Sequence, residues 1–138
     1  MSHIVWDPLR RKEVSLTPEE RVRQWFIAEV LAKALKVPLH MMASEVEFTY
    51  GSKKYRADIL VYDRNAHPLA VVECKRPDVP VDREVLEQAL RYNDSLGVKY
   101  IMLTNGSTNI VCKRGEDGFH REEKFPDYET MLSEKDIR

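Results

Sequence analysis

The chain is poor in cysteine: Cys74 and Cys112 are its only two, they lie far apart, and they form no CxxC pair. Reduced thiols in an intracellular, cytoplasmic protein are expected, and a disulfide framework is not. Long apolar runs are also missing. No stretch approaches the ~18 residues needed to span a bilayer. The opening MSHIVWDPLRRK has no apolar core of signal-peptide type, so no membrane partner is expected. Charge of one sign is not in excess: 22 basic and 23 acidic residues leave a net charge of −1. This argues against coating DNA by bulk electrostatics, whereas local basic strips at 53–56 (KKYR) and 75–76 (KR) remain available. His3, His40, His67 and His120 show no ligand spacing, which argues against zinc. The NGSTN segment at 105–109 lacks the length and the Gly-Lys-Ser/Thr ending of a phosphate loop. No Ser-His-Asp arrangement, internal repeat or low-complexity tract is present.

What remains is an ordinary globular composition of 138 residues, 43% hydrophobic and 33% charged, enough for one domain with a real core. Residues 1–14 read as an N-terminal arm, which Trp6 could tie down. TPEE at 17–20 announces a helix running to about Lys36: Thr17 suits the N-cap, Pro18 the first helical position, and Glu20 completes a capping box. Trp25 and Phe26 read as packing residues on it. Period-2 patterns predict strands over EVEFTY (45–50), YRADILVYD (55–63) and LAVVECK (69–75), joined as an antiparallel meander. Pro77 and Pro80 stop the sheet. Asp82 caps a second helix ending near Leu96, with Gly97 at the C-terminal glycine position. KYIMLT (99–104) follows as a strand, parallel to the third across the helix, and IVCKR (110–114) is the last. Residues 115–138 read as a charged tail with a short helix near 127–134. The expected fold class is α/β, with a mixed sheet flanked by helices.

The third strand raises a chemical question. In VVECKRPDV the valines run straight into Glu73 and Lys75. Side chains alternate along strands, so Glu73 and Lys75 share a face with Val71, and Asp58 shares one with Arg56 and Leu60. If the two strands are neighbours, Asp58, Glu73 and Lys75 converge at one sheet edge. Two adjacent carboxylates repel unless something positive lies between them, and a divalent cation such as Mg²⁺ is the economical solution. A Glu-x-Lys at a strand end also suits a solvated ion pair. On the second helix Val85, Ala89, Tyr92 and Leu96 form one apolar face, with Gln88 at its edge.

The ordered series Asp58, Glu73-x-Lys75 and Gln88-x-x-x-Tyr92 resembles the PD-(D/E)XK nuclease superfamily. More closely, RADILVYD, VVECKRP, EQALRYN and YIMLTNG resemble the N-terminal nuclease domain of type I restriction enzyme R subunits. The resemblance covers roughly residues 15–114, and Ala57 stands where the superfamily's name has proline. It implies a restriction-endonuclease-like α-β-β-β-α-β core and a magnesium-dependent endodeoxyribonuclease, with Mn²⁺ as a substitute cation. Asp58 and Glu73 would hold the cation, with the backbone carbonyl of Cys74 as third ligand. The cation would polarise the scissile phosphate and lower the pKa of a bound water. Lys75 would orient that water or stabilise phosphate charge. Gln88 and Tyr92 would tether the nucleic-acid backbone or support the lysine, and Arg76 belongs to the same basic strip. Such nucleases often carry a further acid on the first helix. Glu20, in the apolar stripe with Gln24, Ile27 and Leu31, is the choice, although its capping box already explains it; Glu29 falls on the solvated side. Arg23, on the same face as Glu20, would reach a phosphate or form a salt bridge. Expected partners are DNA, a second copy of the chain for double-strand cutting, and a larger restriction-type complex. The ATP-driven motor domains of an R subunit have no counterpart in these residues, so a stand-alone domain or a fragment of a longer chain is expected. The alternative is a catalytically silent nucleic-acid-binding or regulatory module of the same fold.

Overall fold

The valine-rich runs form the middle of a six-stranded mixed sheet in the computed structural model, which describes residues 3–133. Strands β3 (Met42–Tyr50), β4 (Lys53–Tyr62), β5 (Pro68–Cys74), β6 (Tyr100–Thr104), β7 (Asn109–Gly115) and β8 (Gly118–Glu122) are hydrogen-bonded in chain order. All neighbours are antiparallel except β5 and β6, which run parallel with Val72 opposite Met102. A parallel pair needs a crossover, and helix α2 (Arg83–Asn93) supplies it. Both faces of the central strands are covered, so Leu69–Val72 and all of β6 are buried. That burial explains why these strands read as continuous apolar runs.

Each helix starts where its cap predicts. Thr17 Oγ1 accepts the Glu20 N–H at 3.1 Å and opens α1 (Pro18–Trp25). The helix continues as a π-helical segment, Phe26–Ala34, closed by the Leu35 N–H on the Val30 carbonyl at 2.8 Å. Its buried Phe26, Ile27 and Leu31 pack on Ile59, Val61, Val72 and Met102. Burial of each such side chain contributes about 1.5–3 kcal/mol. On the opposite face Leu60, Val71 and Ile101 meet Leu90 of α2. Asp82 caps α2 through Val85 at 2.9 Å, and Gly97 follows in the left-handed conformation at φ 70°. The expected α-β-β-β-α-β order and mixed sheet are therefore present, as is the parallel crossover.

Both chain ends carry more structure than the pattern predicts. Within the expected arm, β1 (Ile4–Asp7) and β2 (Lys12–Ser15) form a hairpin. The strands are short and mostly exposed, so no alternation announces them. Trp6 does not tie this hairpin down; it is among the exposed large side chains. In the expected tail β8 extends the sheet, and its Phe119 ring receives the Arg114 guanidinium at 4.5 Å. Helix α3 (Tyr128–Ser133) follows, in the expected place. Residues 1–2 of the arm and 134–138 of the tail lie outside the described residues.

Candidate active site

Strands β4 and β5 part company at the end of their register. Ile59 pairs with Val72, and one step further Asp58 stands opposite Glu73 without a ladder bond. Side chains take over the backbone's work there. Asp58 Oδ2 accepts the Cys74 N–H at 2.7 Å, and Tyr92 Oη on α2 accepts the Arg56 N–H at 3.0 Å. Lys75 has already turned to β6, its N–H on the Thr104 carbonyl at 2.8 Å. The divergence opens a cleft of about 550 Å³ lined by Asp58, Glu73, Cys74 and Lys75, with Arg56, Arg76, Gln88 and Tyr92 around them. The Cys74 thiol points away into the core, leaving its backbone at the cleft.

The acids form a row across three strands. Ser44 pairs with Ile59 and Val46 with Ala57, which brackets Glu45 beside Asp58 on the other side from Glu73. Glu45 adopts a left-handed backbone at φ 55° in this interruption. Like charges across strands are destabilising, and each outer member has its own cation. Glu73 Oε2 meets Lys75 Nζ at 2.9 Å, and Asn93 Nδ2 approaches its Oε1 at 3.4 Å while donating to the Ala89 carbonyl at 2.8 Å. Glu45 meets Arg23 at 2.7 Å and also pairs with Arg56. Asp58, in the middle, has only Arg23 Nη2 at 3.4 Å besides the Cys74 N–H. Burial, with the charges of Glu19 and Glu73 nearby, pushes its carboxyl up to about 6; the Cys74 N–H and Arg23 pull the other way and lose.

The first helix places Glu20 away from the cleft and selects the salt-bridge alternative for Arg23. Glu20 does face inward, but toward arginines. Its Oε1 accepts from Arg10 at 2.6 Å and Arg23 at 3.2 Å, and its Oε2 from Gln24 at 3.0 Å. Glu19, one residue earlier and half-exposed, lines the cleft instead. Arg23 is buried among Glu20, Glu45 and Asp58, so it is an internal ion-pair partner and presents no free face to a phosphate. Arg76 is exposed, 3.3 Å from Asp78. Gln88 is exposed at the cleft rim. Tyr92 both lines the cleft and packs edge-on against Tyr55, so its ring is structural as well. Two further residues serve the cleft: Glu19, which lines it, and Asn93, buried behind Glu73. Glu19 carries no signal beyond its helix; Asn93 is a polar residue one turn after Ala89 on the apolar face of α2, and that misfit was readable.

The donor set fits a hard cation. Two carboxylates from diverging strands, one incompletely neutralised, match the one or two carboxylates that Mg²⁺ takes while keeping several waters. Among the described residues no cluster of three or more His, Cys, Asp or Glu side chains has cation-holding geometry. Comparison with known proteins bears on the family and the fold. A family model for the type I restriction enzyme R protein N terminus matches residues 18–126. No curated protein matches the chain. One solved structure, "the fragment structure of a putative HsdR subunit of a type I restriction enzyme from Vibrio vulnificus YJ016", superposes with a TM-score of 0.59 at 22% identity. The match covers 84% of this chain and 24% of that one, so the chain spans about a quarter of that relative's length and shares its fold.

Proposed function

The chain belongs to the type I restriction enzyme R protein N-terminal family, and on that premise we propose that it is a metal-dependent nuclease domain hydrolysing phosphodiester bonds in DNA. The observation that carries this reading is the meeting of Asp58, Glu73 and Lys75 at one cleft where β4 and β5 separate. Asp58 and Glu73 would hold Mg²⁺ or Mn²⁺, with the Cys74 carbonyl as a third oxygen. When bound, the cation supplies charge neutralisation at the phosphate and an acidified water.

The chain's own groups do the positioning. The Cys74 N–H fixes one oxygen of Asp58, and Arg23 Nη2 lies 3.4 Å from the other. Asn93 and Lys75 take the two oxygens of Glu73 and orient its carboxylate. Lys75 is the ammonium nearest these acids; it donates to the phosphate oxygen on which charge develops, or holds the attacking water in line. Arg56 and Arg76 line the same cleft and would pair with flanking phosphates, with Gln88 at the rim. Glu19 takes the place assigned to Glu20 as the acid on the first helix. A larger restriction-type assembly, pairing of two copies for double-strand cutting, and a cytoplasmic setting belong to the same proposal. Among the described residues, no helix is long and apolar enough to cross a membrane.

The test is incubation of labelled DNA with the protein and Mg²⁺ or Mn²⁺, beside Lys75→Ala. Cleavage that requires metal and falls about 10²–10³-fold in the variant is expected. Cleavage unchanged in Lys75→Ala would overturn the assignment. One observation favours a catalytically silent binding module: Arg23 already stands beside Asp58 as a resident cation. Intact DNA bound with a steep salt dependence, under every metal tried, would select that reading.

A further inference from the structure

We propose that a second, shallower pocket beside the cleft, between Trp25 and Pro77, takes one unpaired nucleobase of a DNA strand lying in the cleft. The inference rests on the nucleic-acid reading of the cleft and adds a base-recognising subsite to it.

Trp25 ends α1 with 37% of its surface exposed, although its neighbours Val22 and Phe26 are buried. Phe26 holds it edge-to-face, the centroids 6.0 Å apart. An indole left open at a cavity mouth is an available stacking platform. The cavity it borders measures about 260 Å³, below the ~300–1,000 Å³ of ordinary small-molecule pockets. That size suits a single ring system.

The rest of the lining is stiff. Pro77 and the turn at Gly106 and Ser107 contribute to it. Asn105 Oδ1 accepts the Ser107 and Thr108 N–H groups at 3.0 and 2.8 Å, and its Nδ2 donates to the Val79 carbonyl at 2.8 Å. Gly106, at φ 94°, lets the turn approach α1, since a Cβ there would already touch Val22 at 3.4 Å. A preformed slot loses little freedom on binding.

Pocket and cleft share one segment of chain. Arg76 and Val79 line the cleft, while Pro77 between them lines the pocket. A strand whose phosphate meets Arg76 therefore has an adjacent base within reach of Trp25. Arg21, exposed at the pocket, provides charge for the next phosphate. The occupant must be unpaired, because a duplex offers base edges and keeps ring faces stacked.

Trp6 and Trp25 are the only tryptophans, so in Trp6→Phe protein all indole emission comes from Trp25. That variant is titrated, both in EDTA and with Ca²⁺ as the hard cation, with a 12-nucleotide oligothymidylate and with a duplex of the same length. Binding is read independently by anisotropy of a labelled oligonucleotide. Expected are quenching of Trp25 emission that saturates with the anisotropy change, weaker quenching by duplex, and about 5- to 150-fold weaker single-strand binding in Trp25→Ala. Trp25→Phe should restore most of that affinity. Oligonucleotide binding without quenching, or quenching equal with duplex, overturns the subsite while leaving the cleft's DNA reading intact. No binding of either DNA overturns both. If Trp25→Ala does not fold, the quenching result decides alone.

Discussion

Asp58 and Glu20 flank the same guanidinium, Arg23, and it serves them unequally. Glu20 belongs to an ion network in which Arg10, Arg23 and, at its cleft-facing margin, Arg56 are shared by Asp7, Glu20 and Glu45. Burial alone would raise the Asp7 and Glu45 carboxyls, but the arginines beside them outweigh it and hold both below the ordinary range. At Asp58 burial prevails, and the carboxyl rises to about 6. The two regions use the same residue types within a few ångströms of each other. Where guanidinium groups match the carboxylates, the charges lock the structure. Where they fall short, a carboxyl lining a cleft stays incompletely compensated, which is what the proposed cation would relieve. Burial of an acid therefore does not fix the direction of its pKa shift by itself; the compensation it receives does.

Substitutions at the two ends of Arg23 should separate these roles. Asp58→Ala is expected to reduce Mg²⁺-dependent cleavage by roughly 10⁴-fold, the several kcal/mol a positioned cation supplies, with an unchanged circular dichroism spectrum. Loss of the fold instead would place Asp58 with the locking charges. Glu20→Ala should cost about 3–5 kcal/mol in urea denaturation, because two arginines lose a buried partner. Glu19→Ala should change stability by no more than about 0.5 kcal/mol and act on cleavage instead. Equal effects at these neighbouring positions would erase the distinction.

The pH dependence sharpens it further. A carboxyl with a folded pKa of about 6, against 3.8 ordinarily, binds its proton more readily in the folded state. Above that range it is ionised in both states and the fold carries the full penalty; the wild type gains stability as pH falls through 6. Asp58→Asn removes the penalty and should stabilise the cation-free protein by about 2 kcal/mol at pH 7–8, the gain fading to nothing near pH 4. Thermal melts of both proteins across that range check the sign. The smallest effect belongs to an exposed pair, Lys33 and Glu29 at 3.8 Å. Lys33→Ala should alter stability by at most about 0.5 kcal/mol.

The sequence made some of this visible because two periods suffice for it. Alternation along β4 and β5 puts Asp58 with Leu60 and Glu73 with Val71, and those partners do pack on one face. Helical spacing brings Gln88 and Tyr92 to the cleft those strands open. The choice between Glu19 and Glu20 was not readable locally. An inward helix face says that a residue is covered, not by what, and Glu20 is covered by Arg10 from a hairpin whose short strands leave no pattern. Glu45 escaped for a similar reason: its left-handed backbone breaks the alternation that would have placed it. The hidden contributors are those whose partners come from distant segments.

Cys74 gives the β4–β5 junction an unusual property. Its amide holds Asp58, while its thiol is sealed in the core, with burial raising its pKa well above the ordinary value. Alkylation at this sulfur must wait until the strands separate. The chain thus contains its own clock for breathing at this sheet edge, readable by mass spectrometry as the rate of alkylation at Cys74, and under the proposed function a cation held by Asp58 and Glu73 should slow it.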